Sequence, residues 1–218
     1  MKRLMRAAVL SAALLPAHDI ISTRITWTQE ISRIFYRRCL DCHGPKASVP
    51  FTSYSEVRPW AIAIREEVLE RRMPPWDAVR GFGEFHNDAS LTMTELDRIV
   101  QWVEGGAPKG DDAYLDNLPL ETPPLPHSKA TAGVAVNSTY RVRRKMTVYG
   151  LEPRVAEGAS LQVIAMEPDG AQHALLWIPN YRKQGHRTYW LRSPLALAAG
   201  SEIVATGGRV FIATAAPE

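Results

Sequence analysis

The chain has 218 residues, enough for one large domain or two small ones. Hydrophobic residues make up 45% and charged residues 22%, a globular rather than a disordered balance. The formal charge of +3 rests on the first seventeen residues, where Lys2, Arg3 and Arg6 stand without any acid; beyond them 26 − 3 = 23 basic residues face 23 acidic ones. The basic excess of a nucleic-acid binder is therefore missing.

Residues 1–17 read as a secretory signal peptide. A basic start is followed by nine residues, AAVLSAALL, with a single polar one, and then by Pro16 and Ala17. Nine residues rise only about 14 Å as a helix, too short for a hydrocarbon core of about 30 Å. The product is expected to be periplasmic or secreted, with no membrane span after signal removal. Residues 24–110 read as helical. Thr28 is placed to cap a helix running to about Cys39, with Ile31, Ile34 and Phe35 on its apolar face. A second helix is expected from about Pro59, with Val57, Ala61, Ile64 and Val68 on one stripe; Arg71-Arg72 and then Pro74-Pro75 end it. Thr92 and Glu95 form the capping box of a third, which presents Leu96, Ile99, Val100 and Val103 and stops at Gly105-Gly106.

Residues 111–130 contain Pro119, Pro123, Pro124 and Pro126 and no periodic apolar pattern, which predicts a Pro-rich linker. Residues 131–218 alternate as strands do. Leu161–Met166 and residues 174–178 flank the turn Pro168-Asp169-Gly170, and residues 188–191, 203–206 and 210–214 are further candidates. The expected fold class is α + β in separate domains: a small all-α domain over 24–110, then a partial antiparallel β-sandwich over 131–218.

The only two cysteines lie in Cys39-Leu40-Asp41-Cys42-His43, a C-x-x-C-H sequence. Two thiols three residues apart at a helix end can form thioethers with the two vinyl groups of one haem. The imidazole that follows can then serve as the proximal iron ligand. A redox disulfide of this spacing usually sits near a βαβ pattern, which is not seen here. Zinc commonly takes a second Cys pair, and none exists.

For the distal ligand, the candidate is Met73 in Arg-Arg-Met-Pro-Pro-Trp, where two prolines stiffen the turn. Met93 and His86 are fallback ligands, and any of these methionines can equally be core packing. Trp60, Trp76 and Trp102 suit either the apolar face of a haem or an ordinary core. Arg58, Arg71 and Arg72 suit either haem propionates or a solvated helix face.

These segments resemble a known family. Residues 39–44, Arg58-Pro59-Trp60-Ala61, Met73-Pro74-Pro75-Trp76, Asn87-Asp88, Leu91, Trp102-Val103 and Gly106-Ala107-Pro108 are similar to the mono-haem c-type cytochrome domain of bacterial exported proteins that carry copper type II, ascorbate-dependent monooxygenase-like domains. The resemblance covers residues 28–110 and implies Met73 as the distal haem ligand. More weakly, Pro168-Asp169-Gly170, residues 175–181, Thr188-Tyr189 and residues 194–200 resemble the C-terminal β-sandwich half of the monooxygenase, degenerate here. The family places a His-x-His copper pair just before these strands. Here that stretch is LEPRVAEG, residues 151–158, without a histidine. After residue 130 only His173 and His186, with Met146 and Met166, offer copper ligands, so copper is not expected.

The expected function is that of an exported c-type cytochrome carrying one electron through one covalent haem c. Cys39 and Cys42 hold the ring, and His43 and Met73 hold the iron. This describes an electron carrier serving a redox partner protein rather than an enzyme. Two other readings stand beside it: a haem-fed remnant of a copper-dependent monooxygenase, and a haem-based sensor or binding module.

Overall fold

The computed structural model describes residues 23–116 and 129–216. The expected signal peptide and the four linker prolines lie outside these residues.

The first helical segment opens on a π-helical turn, Trp27–Ile31, and continues as α1 (Ser32–Arg38). Its cap is Thr26, not the expected Thr28. Thr26 has the extended backbone a cap requires, its side chain accepts from the Gln29 N–H, and its own N–H donates to Glu30. Thr28 is buried, and its N–H donates to the Lys109 carbonyl.

The expected second helix is three pieces. They are α2 (Tyr54–Val57), capped by a Ser53–Glu56 box, a 3-10 turn Arg58–Trp60 holding Pro59, and α3 (Ala61–Leu69). The stripe is real, with Val57, Ala61 and Val68 all buried. α4 (Met93–Glu104) starts at the Thr92–Glu95 capping box, as the sequence predicts. Trp27, Ile31, Phe35, Val57, Ile99 and Trp102 form the core of this lobe.

Eight strands follow: β1 (Gly133–Val136), β2 (Thr139–Arg141), β3 (Met146–Arg154), β4 (Leu161–Met166), β5 (Gln172–Ile178), β6 (Tyr189–Leu197), β7 (Glu202–Thr206) and β8 (Arg209–Ala213). They form two four-stranded antiparallel sheets, ordered β1-β8-β3-β6 and β2-β7-β4-β5. Alternation sets the faces: Leu161, Val163 and Ala165 of β4 and Val210 and Ile212 of β8 point into one shared core.

β1, β2 and β3 escape the sequence reading. The first two are very short, and Gly150 and Pro153 interrupt the pattern of β3. Gly150 follows a register shift and lies under the Trp190 ring. Pro153 lies beyond the pairing with β6, so its missing N–H costs no bond there.

The structure overturns the expected fold class. Among the described residues the four α-helices have 7, 4, 9 and 12 residues and make no separate all-α domain, and the β half is two full four-stranded sheets, not a partial sandwich. The physical reason lies in residues 76–91. They carry Ala78 and Phe85 into the sandwich core, with Trp76 packed against it.

This strap also covers open strand edges. Val79 N–H donates to the Trp177 carbonyl on β5 at 2.8 Å, and His86 N–H to the Trp190 carbonyl on β6 at 2.9 Å. Arg192 N–H returns a bond to the Glu84 carbonyl at 2.8 Å, around a bridge of Phe85 to Leu191. β5 and β6 end their respective sheets on one side, so the strap closes an edge that would otherwise present unpaired groups. Gly83 permits the close approach. Its φ is +82, and a Cβ there would strike the Leu175 carbonyl oxygen.

Candidate functional site

The C-x-x-C-H sequence begins where α1 ends. The helical path continues through it: Cys39 N–H donates to the Phe35 carbonyl at 2.8 Å, and His43 N–H to the Cys39 carbonyl at 2.8 Å. Residues at i, i+3 and i+4 share one side of such a turn. Cys39, Cys42 and His43 accordingly line one cavity, of about 500 Å³. Site volumes for cofactors run at about 300–1,000 Å³.

His43 is held from two sides. Its Nδ1 lies 2.8 Å from the Val49 carbonyl oxygen. A carbonyl only accepts, so Nδ1 carries the proton and Nε2 keeps its lone pair for a metal. Phe51 stacks on the ring at 4.4 Å between centroids, and its N–H bonds the His43 carbonyl.

Both cysteines are free thiols. Burial pushes the Cys39 thiol up to about 12, with Cys42 and Glu95 adding to burial and Arg38 opposing it. Cys42 is raised too, by burial and by Asp41, against the pull of Arg187. Reactive dithiols show the reverse, a lowered pKa in an electropositive setting.

Of the three distal candidates, Met73 alone lines this cavity. Met93 is 68% exposed at the start of α4, with an Arg71 nitrogen 3.6 Å from its sulfur. His86 is exposed on the strap, its backbone engaged with β6. The tryptophans divide. Trp60 lines the cavity, whereas Trp102 lies in the helical core and donates to the Pro108 carbonyl. Trp76 faces the sandwich, edge-on to Phe85 and Tyr189. Arg58, Arg71 and Arg72 do not line the cavity; Arg72 pairs with Glu67 at 2.9 Å.

Sequence reasoning missed two arginines that do. Arg38 lines the wall but is engaged: its Nε lies 3.2 Å from both Glu95 carboxylate oxygens, and its Nη1 donates to the Asp88 carbonyl. Burial pushes the Glu95 carboxyl up, but the Thr92 N–H and Arg38 outweigh it and leave the pKa below the ordinary carboxylate value. Arg187 enters from the sandwich, between β5 and β6, with Gln184 beside it. A helical ending flags Arg38 as a basic residue in the last turn. Nothing local flags Arg187, which lies 144 residues beyond His43, by 187 − 43.

The residues fit a haem. The wall is mainly apolar, with Phe35, Val49, Phe51, Ile64, Leu91 and Ile99, and it brings together two thiols, an imidazole of set tautomer and a thioether. The copper candidates are not gathered in this way. His173 faces Glu167 at 2.9 Å, and His186 faces the Tyr181 hydroxyl at 2.6 Å. Met146 and Met166 start and end different strands, in different sheets. Among the described residues no helix is long and apolar enough to cross a membrane.

Comparison with protein-family models, curated proteins and solved structures finds no match to this chain.

Proposed function

We propose that this chain carries single electrons through one haem c, attached by thioethers at Cys39 and Cys42 and ligated by His43 and Met73. One observation carries the reading: the four residues line a single apolar cavity, and His43 is already bonded at Nδ1 so that Nε2 is free. Haem bound there would supply a one-electron iron couple, which His and Met ligands together raise in potential.

The chain's own residues do the rest. The Val49 carbonyl and the Phe51 ring fix the plane of the imidazole. Phe35, Ile64, Leu91 and Ile99 keep water from the interior face. Met73 is carried by the turn at Pro74-Pro75, which the sandwich clamps from outside: Arg187 Nη2 donates to the Pro75 carbonyl at 2.7 Å. With His43 and Met73 both holding the iron, such a site would favour electron transfer to a redox partner protein over substrate chemistry. The basic and then apolar start of the sequence supports an exported location, where thioether attachment takes place.

The test is a pyridine haemochrome spectrum of the full chain matured in a haem-attaching host, after extraction with acidic acetone. Haem retained on the polypeptide, and lost in the double variant Cys39→Ala/Cys42→Ala, is the expected result. Complete extraction from the wild type refutes the reading.

A further inference from the structure

The cavity is not built by the helical lobe alone. Four charged residues line it: Arg38, Asp41, Glu67 and Arg187. Arg38 is committed to Glu95 and Glu67 to Arg72, and Asp41 is engaged as well. Asp41 is an exposed acid beside Cys42. Arg187 is different, because its hydrogen bonds go to carbonyls and it makes no ion pair with an acid among the described residues. Its Nε donates to the Gly185 carbonyl at 3.1 Å, and its Nη2 to the Pro75 carbonyl at 2.7 Å. The guanidinium lies 5.4 Å from the centre of the Trp76 ring. Its Nη1 has no hydrogen-bond acceptor among the described residues.

The segment that carries it is anchored as well. Arg182 binds Asp77 through its backbone N–H at 2.9 Å and its guanidinium at 2.6 Å, and the Asp77 side chain is 1% exposed. Arg182 Nη1 also reaches the Arg71 carbonyl at 3.1 Å. Residues 182–187 are thus fixed against the turn that bears Met73. A planar guanidinium held by two carbonyls, with one nitrogen unbonded among the described residues and on a residue that lines a mainly apolar cavity, is suited to a carboxylate.

We infer that Arg187 is a binding residue for a carboxylate of the cofactor, a haem propionate, supplied to the site by the β-sandwich. The inference rests on the haem reading above. It makes the sandwich part of the binding site, so that loading the cofactor ties the two lobes together from within. It also gives the sandwich an electrostatic hold on the iron: a cation beside the ring favours the reduced state.

The experiment uses the full chain matured with haem, as wild type, Arg187→Gln and Arg187→Lys, with Arg144→Gln as a charge control in the exposed turn before β3. Resonance Raman spectroscopy reads the bending band of the propionate carboxylates, and redox titration reads the midpoint potential. Arg187→Gln is expected to keep its covalent haem, shift the carboxylate band and lower the potential. Arg187→Lys restores the potential towards wild type, since the charge returns without the planar fork, and leaves the band at an intermediate position. Arg144→Gln leaves both unchanged.

A haem-loaded wild type whose carboxylate band is unmoved in Arg187→Gln removes this inference and leaves the electron-carrier reading intact. If Arg187→Gln does not accumulate, the band of Arg187→Lys decides in the same sense. A wild type without covalent haem overturns both.

Discussion

At the scale of single residues, the site turns on which atoms are left free. The Val49 carbonyl accepts a hydrogen bond from His43 Nδ1–H and so leaves Nε2 as the nitrogen that can ligate. The sequence puts Met73, in its Pro-stiffened turn, ahead of Met93 as a ligand candidate, and in the fold Met73 lines the cavity while Met93 is 68% exposed. On the proposed ligation, Met73→Ala is expected to lower the reduction potential and to let the ferrous protein bind carbon monoxide, which the wild type should resist. Met93→Ala changes neither, and equal behaviour of the two variants in redox titration would assign Met73 to packing.

Glu95 gives a pH prediction. Its folded pKa is depressed, so its contribution is complete above the unfolded value, about 4.3, and is lost as pH falls through the folded value. Thermal melts of wild type should lose stability below about pH 4. Glu95→Gln, which gives up the ion pairs with Arg38 and Arg37, should be about 2 kcal/mol less stable at pH 7 and show a flatter acid limb. Parallel acid limbs in the two proteins would contradict the assignment.

Among the elements, the strap at residues 76–91 decides most. It has neither helical nor strand periodicity, and in the sequence it is only the irregular stretch between two helices. In the fold it pairs with β5 and β6 and fills the end of the sandwich with Phe85, which is 4% exposed and meets Trp76 and Tyr189 edge-on. Phe85→Ala should cost about 3–5 kcal/mol, as truncation of a buried aromatic does. Chemical denaturation followed at the tryptophans is the measurement. A loss under 1 kcal/mol would mean that the strap only rests on the surface. By contrast, α4 is a self-declared element. Its capping box and its buried Ile99 and Trp102 follow from local spacing, and the helix stands where the sequence puts it.

Across the whole molecule, the lobes are joined by side chains far apart in sequence. Asp77 and Arg182 form a nearly buried pair, and Asn87 bonds the backbone of Thr188 and Trp190 at 2.8 and 3.1 Å. Asp77→Ala removes the acid that Arg182 pairs with and should destabilise the protein by about 3 kcal/mol, with faster proteolysis between the lobes. Unchanged cleavage kinetics would show that the pair is not what holds them.

The sequence by itself determined the local features: the C-x-x-C-H turn at a helix end, the Thr92–Glu95 cap, the alternation of β4 and the turn at Asp169, where the side chain accepts the Ala171 N–H. Each of these depends on residues within a few positions of one another. Only the tertiary structure decided that no all-α domain stands apart among the described residues and that Arg187 completes the cavity wall beside Met73. The open edges of β5 and β6 needed partners, and the backbone that pairs with them, at residues 79–86, belongs to the helical half of the chain. Edge closure depends on which strands end up outermost, and no window of the sequence records that.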